Sequence, residues 1–352
     1  MEFNIHDFFS TNKRFFIWTV FFGLLYLLRS LFGLIFITFI LCFIFNNSIE
    51  WLSKKTRLPR RLWTIVIYII FVAIAITALA ALGPKLGAES SSFLNQLPET
   101  LDNVNGYLID KAEEHPNLAP IWARFQKNLT IENLLGIKQA TLVAFMVKVI
   151  NGLTHYFSWL LIGTLLSFLI LFDYPHLRAV MLTMPRTRLK EVYEETAGSV
   201  VHFALVVGAT FQAQIMIAFI NTILTSIGLW GLNIHPIALL STMVFFAGLI
   251  PVLGVFISSV PILLVAFNNG GLSLLLWALV MIIIVHIVEA YILNPNIFAA
   301  VLKINPVLTL IILYIGHSLF GLWGVLLGVP VSVYIYRYAI MNNAPKPIEA
   351  QD

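Results

Sequence analysis

Formal charge is what this chain has least of. Only 11% of its 352 residues are Asp, Glu, Lys or Arg, less than half of the roughly 25% found in an ordinary soluble domain. The shortage is concentrated, because the 141 positions from Thr196 to Tyr336 carry only Glu289 and Lys303. A stretch so poor in charge has no surface to show to water, which excludes a soluble fold and leaves lipid as its solvent. Cysteine is equally scarce: Cys42 stands alone, so no internal disulfide forms and no Cys/His cluster has metal-binding spacing. The motifs G-x-x-x-x-G-K-[ST], H-E-x-x-H and G-x-S-x-G are also missing, which removes the usual grounds for ATP-driven transport, zinc proteolysis and serine hydrolysis. No nucleophile and base pair points to an intramembrane protease. We expect no enzyme, cofactor or resident metal. No basic run alternates with aromatics, so the net charge of +4 does not indicate nucleic acid as a partner. The first residues carry no cleavable signal pattern, and the N-terminus is expected to be the mature one.

What the chain does have is apolar length, with 59% of its residues hydrophobic. Apolar segments run over 15–28, 31–45, 62–83, 149–172, 203–230, 236–267, 272–293 and 307–336. Against the roughly 20 residues that a spanning helix needs, these are eight candidates. Only Arg29 and Ser30 divide the first two, so 15–45 forms either two spans or one long tilted helix. Basic residues set the orientation. Lys13 and Arg14, then Lys54, Lys55, Arg57, Arg60 and Arg61, then Arg178, Arg186, Arg188 and Lys190, and finally Arg337 and Lys346 all fall on one side of an eight-span topology. By the positive-inside rule that side, with both termini, is cytoplasmic. The expected fold is all-α: a polytopic membrane protein of about eight transmembrane segments, two of them broken or re-entrant, plus one extramembrane helical segment. The expected divisions are 1–83 for spans one to three, 84–148 for the extramembrane segment, 149–340 for a transport core and 341–352 for a cytoplasmic tail.

The extramembrane segment has a soluble-like composition. Leu97, Leu101, Val104 and Leu108 recur at helical spacing among Glu99, Asp102, Asn103 and Asp110. His115, Pro116, Asn117 and Pro120 interrupt the pattern, and 122–135 resumes it. A helical pair packed on its own membrane domain, or against another subunit of a homo-oligomer, accounts for this more simply than a lid or capture domain.

Two segments are too long to be single spans. Segment 236–267 would extend about 48 Å as a straight helix, against a bilayer core of about 30 Å, and Pro251 and Gly254 lie at its middle. Proline removes a backbone donor and glycine admits non-helical angles. Segment 307–336 carries Gly316, Gly321, Gly324 and Gly328 before Pro330. Irregular backbone at membrane depth survives only where it is buried in protein or lines a polar cavity, and paired broken segments mark transporter binding sites. The plainer account is that glycine and proline are common in membrane helices, with Gly324 and Gly328 forming a packing face. That account treats each residue singly and leaves the two overlong, interrupted segments unexplained.

Glu289 is the one carboxylate in the charge-poor run, and His286 precedes it by three positions on the same helical face. An intramembrane carboxylate is costly unless paired, neutral or wet, so Glu289 is a candidate proton carrier or cation ligand. Alternatively it lies close enough to the Asn294-Pro295 break to reach interfacial water. Gln214 and Asn221, seven positions apart, share a face suited to a polar lining or to interhelical hydrogen bonds. His202, Gln212 and His317 are lone polar residues, and Asp173 marks a membrane boundary.

Ile250-Pro251-Val252-Leu253-Gly254, Pro261, Glu289, Pro295, Asn305-Pro306, Gly316 and the string Leu319-Phe320-Gly321-Leu322-Trp323-Gly324-Val325-Leu326-Leu327-Gly328-Val329-Pro330 occur in that order. In this the C-terminal half resembles the autoinducer-2 exporter family, also described as PerM-type permeases of bacterial inner membranes. The family often has glycine where Ala299 stands and histidine where Asn305 stands. The resemblance implies a multispanning transporter or exporter of a small solute or ion in the bacterial cytoplasmic membrane. Some relatives are associated with autoinducer-2 export and others with sodium/proton antiport. The residues expected to line the path or couple transport to H+ or Na+ are Glu289, His286, Pro251, Gly254, Asn294, Pro295, Pro306, Gly316, Gly321, Gly324 and Pro330. A membrane scaffold that transports nothing is the competing class.

Overall fold

The computed structural model describes residues 12–114, 159–251, 253–297 and 306–335, which are helical almost throughout and contain no strand. Helix α1 (Lys13–Leu27) passes through a 3-10 turn (Leu28–Leu31) into α2 (Phe32–Lys55). Residues 13–55 are helical throughout, with the 3-10 turn placed at Arg29 and Ser30. Helix α3 (Arg60–Glu114) runs 55 residues without a break through Pro84 and Pro98. The expected division at 83/84 therefore falls inside one helix: composition changes there from apolar to polar, but backbone conformation does not. Helix α4 (Trp159–Phe172) turns by 69° at Asp173 into α5 (Tyr174–Thr183) and a 3-10 turn (Met184–Arg186). Then follow α6 (Lys190–Gly231), α7 (Ile237–Gly248), α8 (Leu253–Val288), a π turn (Glu289–Leu293), the short α9 (Asn294–Ile297), α10 (Pro306–Phe320) and α11 (Leu322–Ile335).

Among the described residues, four helical runs are long and apolar enough to cross a membrane: Lys13–Lys55, Arg60–Val104, Lys190–Gly231 and Leu253–Leu293. The bent pair α4–α5 is a fifth if taken as one span, and Ile237–Gly248, Val307–Ser318 and Trp323–Ile335 are shorter apolar helices. The last long run is itself interrupted, because Gly270 (φ −155°) and Gly271 (φ 63°) leave the helical region. Residues 254–262 and 282–289 line one cavity, so the chain doubles back at that glycine pair and α8 is two antiparallel helices. Large apolar side chains such as Ile69, Ile70, Ile74 and Ile76 stand exposed along α3, as a lipid-facing surface requires. The chain is a multi-pass membrane protein.

It folds as two compact units. Unit 1 comprises 1–72, 157–212 and 301–352. One of its cores gathers Ile49, Tyr68 and Leu171 with Phe45, Trp63 and Phe168, and there the Tyr68 hydroxyl donates to Ser167 Oγ at 2.7 Å. Phe32, Phe36, Trp159 and Trp323 form an aromatic cluster, closed over Gly33, where any Cβ would collide with both indole rings. Lys13 pairs with Glu191, Arg14 with Glu195 at 3.2 Å and Arg61 with Asp173 at 4.0 Å. Three of the basic groups used by the orientation rule are thus paired with carboxylates of this unit. Helices α10 and α11 form a hairpin that turns at Gly321 (φ 58°).

Unit 2 comprises 73–156 and 213–300. Phe93, Leu97 and Leu101 from the polar half of α3 are buried with Leu239, Leu240 and Val244 of α7 and with Ile262, Val265 and Ala266 of α8. The helical stripe read in the sequence is therefore a packing face on its own unit. Each leucine so buried contributes about 1.5–3 kcal/mol relative to exposure in water. The side chain of Leu108, the interruption at 115–120 and the helix expected over 122–135 lie outside the described residues.

Candidate functional site

The site is built where α7 ends. Gly248 is the last residue of α7, and helix termini leave carbonyls without an intrahelical partner. Gln214, buried on α6, donates from Nε2 to the Gly248 carbonyl at 2.6 Å. The chain then turns around Pro251: the Ile250 N–H donates to the Ala247 carbonyl at 2.9 Å and the Gly254 N–H to the Ile250 carbonyl at 3.0 Å. A Cβ on Gly254 would lie 2.4 Å from the Ala247 carbonyl oxygen, a backbone atom that cannot move aside. Glycine is required there by close approach rather than by its own dihedral angles. Gly254→Ala is expected to destabilise by about 2 kcal/mol through overpacking. Gly198→Ala, in open space on α6, is expected to be neutral or slightly stabilising. Thermal unfolding in detergent compares them, and equal stability of the two variants would contradict this account of the break.

Beside the turn, residues of α6, α7 and both arms of α8 enclose a cavity of about 40 Å³. Its polar lining is Asn221, Thr225, Ser258, Ser259, His286 and Glu289. The Glu289 side chain is 15% exposed. Asn221 donates from Nδ2 to Glu289 Oε2 at 2.7 Å, and His286 Nδ1 lies 3.7 Å from the same oxygen. The carboxylate turns inward and is paired within the protein. It stands at the first residue of the π turn, a helix irregularity frequent at functional sites.

This pairing also fixes the amide, since a flipped Asn221 would bring its own oxygen against the carboxylate. Asn221 is 7% exposed, and its Oδ1 has no hydrogen-bond partner. Ser258 donates to the Gly254 carbonyl at 2.9 Å and Ser259 to the Val255 carbonyl at 2.6 Å, which leaves their oxygen lone pairs as acceptors. The cavity thus offers mainly oxygen acceptors around one carboxylate, a set suited to a hard cation or a proton. Its volume decides the size of the guest. At about 10–15 Å³ per water-sized probe, 40 Å³ holds an ion with one or two waters.

Of the residues singled out in the sequence, Glu289, His286 and Gly254 meet at this cavity, and Pro251 shapes the adjoining turn. Asn294 and Pro295 lie in α9, just past the π turn, and Pro306 opens α10; the side chains of both prolines are outside the described ones. Gly316, Gly321, Gly324 and Pro330 belong to the α10–α11 hairpin of unit 1, where Gly316 and Gly324 let the two backbones meet and Gly321 makes the turn. Sequence reading noticed Asn221 and Gln214 but did not place them in the site, and it passed over Ser258, Ser259 and Thr225. The seven-residue spacing of the two amides was the available signal. Val252, Ala299, Lys303 and Asn305 are outside the described residues.

Comparison with known proteins gives a consistent picture. A family model described as AI-2E family transporter matches residues 15–344. The chain is 28% identical over 337 residues to the Bacillus subtilis protein named "Putative transport protein YdbI", covering 94% of this chain and 92% of that one. It is 26% identical over 327 residues to a second B. subtilis protein, "Putative transport protein YueF", covering 88% and 84% of the two chains. It is also 21% identical over 315 residues to a protein of Halobacillus andaensis named "Sodium-lithium/proton antiporter", covering 84% of each chain.

Proposed function

The chain belongs to the AI-2E transporter family, and on that premise we propose that it is a secondary transporter of a small solute or ion in the bacterial cytoplasmic membrane, with Glu289 as its coupling group. The observation that carries this reading is the buried Glu289 carboxylate beside the unpartnered Asn221 Oδ1. A charge in an apolar body is too costly to persist without a use. When ionised, Glu289 completes an acceptor set that attracts a cation. When protonated, it loses that attraction, so occupancy by a proton and by the cation are mutually exclusive. Such exclusion is the minimal requirement for exchange, and as a transporter the chain breaks no covalent bond.

The cavity volume favours one cargo at this site, a monovalent inorganic cation exchanged for protons, over autoinducer-2 or another organic solute. The relative named a sodium-lithium/proton antiporter supports the same choice. A non-transporting scaffold would have no need of an inward-facing carboxylate. Cytoplasmic termini rest on the distribution of basic residues along the sequence, and the exposed apolar faces leave surface for a homo-oligomer.

Sodium added to everted membrane vesicles holding a proton gradient is expected to dequench a pH-sensitive dye when the chain is present. Asn221→Ala, which removes the free acceptor, is expected to raise the half-saturating sodium concentration about tenfold, the equivalent of about 1.4 kcal/mol. A flat response to Na+, Li+ and K+ would remove the cation reading and return the cargo to organic solutes.

A further inference from the structure

A second pocket, of about 230 Å³, lies in unit 2 beyond the apolar stretch of α3. The sequence reading did not touch it, and the transport site does not use it. Three segments form it: the polar part of α3 around Glu89, the turn at His235 and Pro236, and Asn268 and Asn269 just before the reversal of α8.

Its walls are fixed in advance. Glu89 Oε2 accepts from the Leu239 N–H at 2.8 Å, in the first turn of α7, which ties α3 to that helix. Asn269 Nδ2 donates to the His235 carbonyl at 3.1 Å, which ties the two turns together. Phe93 and Val265 line the pocket from the buried core of the unit. A site held by its own hydrogen bonds and core does not lose ordering entropy when it binds.

The chemistry of the lining narrows the ligand. Among the described residues no lysine or arginine lines the pocket, whereas the Glu89 carboxylate does, with the His235 imidazole as the one other titratable group. That carboxylate has one oxygen committed to Leu239, and among the described residues the other is paired with Lys85 alone, at 3.9 Å and 61% exposed. So exposed and distant an ion pair is weak and easily displaced. The amides of Gln96 and Asn268 accept no described hydrogen bond at their oxygens, and Phe93, Pro236 and Val265 supply apolar wall. A 150 Å³ cavity holds benzene, so 230 Å³ takes a solute of about nine non-hydrogen atoms.

We propose that this pocket binds a small organic cation, its primary ammonium group seated on Glu89 in place of Lys85 and its polar far end on the amides of Gln96 and Asn268. The geometry departs from the Glu289 cavity in both size and ligand class, and it does not rest on the transport reading. Binding by itself tests it, with the full chain in lipid nanodiscs and 5-amino-1-pentanol as probe, against the neutral 1,5-pentanediol and the anionic 5-hydroxypentanoate.

Calorimetry is expected to show binding of the amino alcohol only. Glu89→Gln keeps an oxygen acceptor for the Leu239 N–H and is expected to weaken that binding about tenfold or more, as loss of a charge-assisted hydrogen bond does. Lys85→Ala removes the competing ammonium group and is expected to tighten it severalfold. Should Glu89→Gln fail to fold, Lys85→Ala still decides the matter. Equal binding of the amino alcohol and the diol, no binding of any probe at 10 mM, or unchanged affinity in Lys85→Ala would each overturn the proposal. Repeating the titration in Glu289→Gln is expected to leave binding intact, and loss there would also overturn it, because the ligand would then belong to the other cavity.

Discussion

Glu289→Gln is expected to abolish ion-coupled transport, with a loss of about a hundredfold or more in rate at saturating sodium, equivalent to about 2.7 kcal/mol. The substitution changes charge and protonation while sparing the packing. Glutamine fills the same volume, and its amide oxygen can still accept from Asn221 Nδ2, which donates to Glu289 at 2.7 Å in the native site. Unfolding temperature in detergent should therefore stay within about 2 °C of the native protein, a change of less than about 1 kcal/mol. Activity and stability should part company, and that separation is the informative result. A role confined to packing predicts the reverse, intact flux with altered stability. Proteoliposomes with an imposed sodium gradient provide the readout. Full sodium flux in Glu289→Gln, with its native pH dependence, would show that coupling resides elsewhere.

Gly324→Ala is expected to produce the largest loss of stability among single-methyl additions. In unit 1 the α10–α11 hairpin brings two backbones into contact: a Cβ on Gly324 would sit 1.8 Å from the Gly316 carbonyl oxygen, and a Cβ on Gly316 would sit 2.4 Å from that of Gly324. Backbone atoms cannot rotate out of the way as a side chain can. The two helices would have to separate, losing their packing and close van der Waals contact, which is what holds helices together in lipid. The expected cost is about 3 kcal/mol or more, toward the upper end for overpacking. For a chain of this size that is a fall of about 6 °C or more in unfolding temperature. Gly328→Ala is the internal control on the same face, because its added methyl meets the Ile312 side chain at 3.1 Å, and that side chain can shift. Gly324→Ala and Gly328→Ala unfolding at the same temperature would contradict the close approach.

Much of the architecture is legible in the sequence. The breaks at Pro251 and Gly321 follow from backbone chemistry that these residues carry wherever they occur. The stripe of Leu97 and Leu101 is periodic, and a periodic stripe finds a partner surface. Length proved a weaker guide. The division expected at Pro84 falls within one continuous helix, because a change in composition is not a change in conformation, and the boundary expected at Arg29 and Ser30 is a 3-10 turn. Gly316, Gly321 and Gly324 lie in the hairpin of unit 1, apart from the cavity that Gly254 lines. A glycine at a tight turn and a glycine that lets two helices touch leave the same mark in one dimension.

The sequence by itself determined the solvent of this protein and the one carboxylate worth attention. Both follow from the cost of burying charge, which is large enough to be written into composition. The tertiary structure decided what that carboxylate does with its neighbours: Asn221, 68 residues upstream, as its donor, an orphaned amide oxygen beside it, and a cavity sized for an ion. Those depend on the register at which α6 packs against the two arms of α8. Register is set by the interlocking of many side chains at once, and no local pattern encodes it.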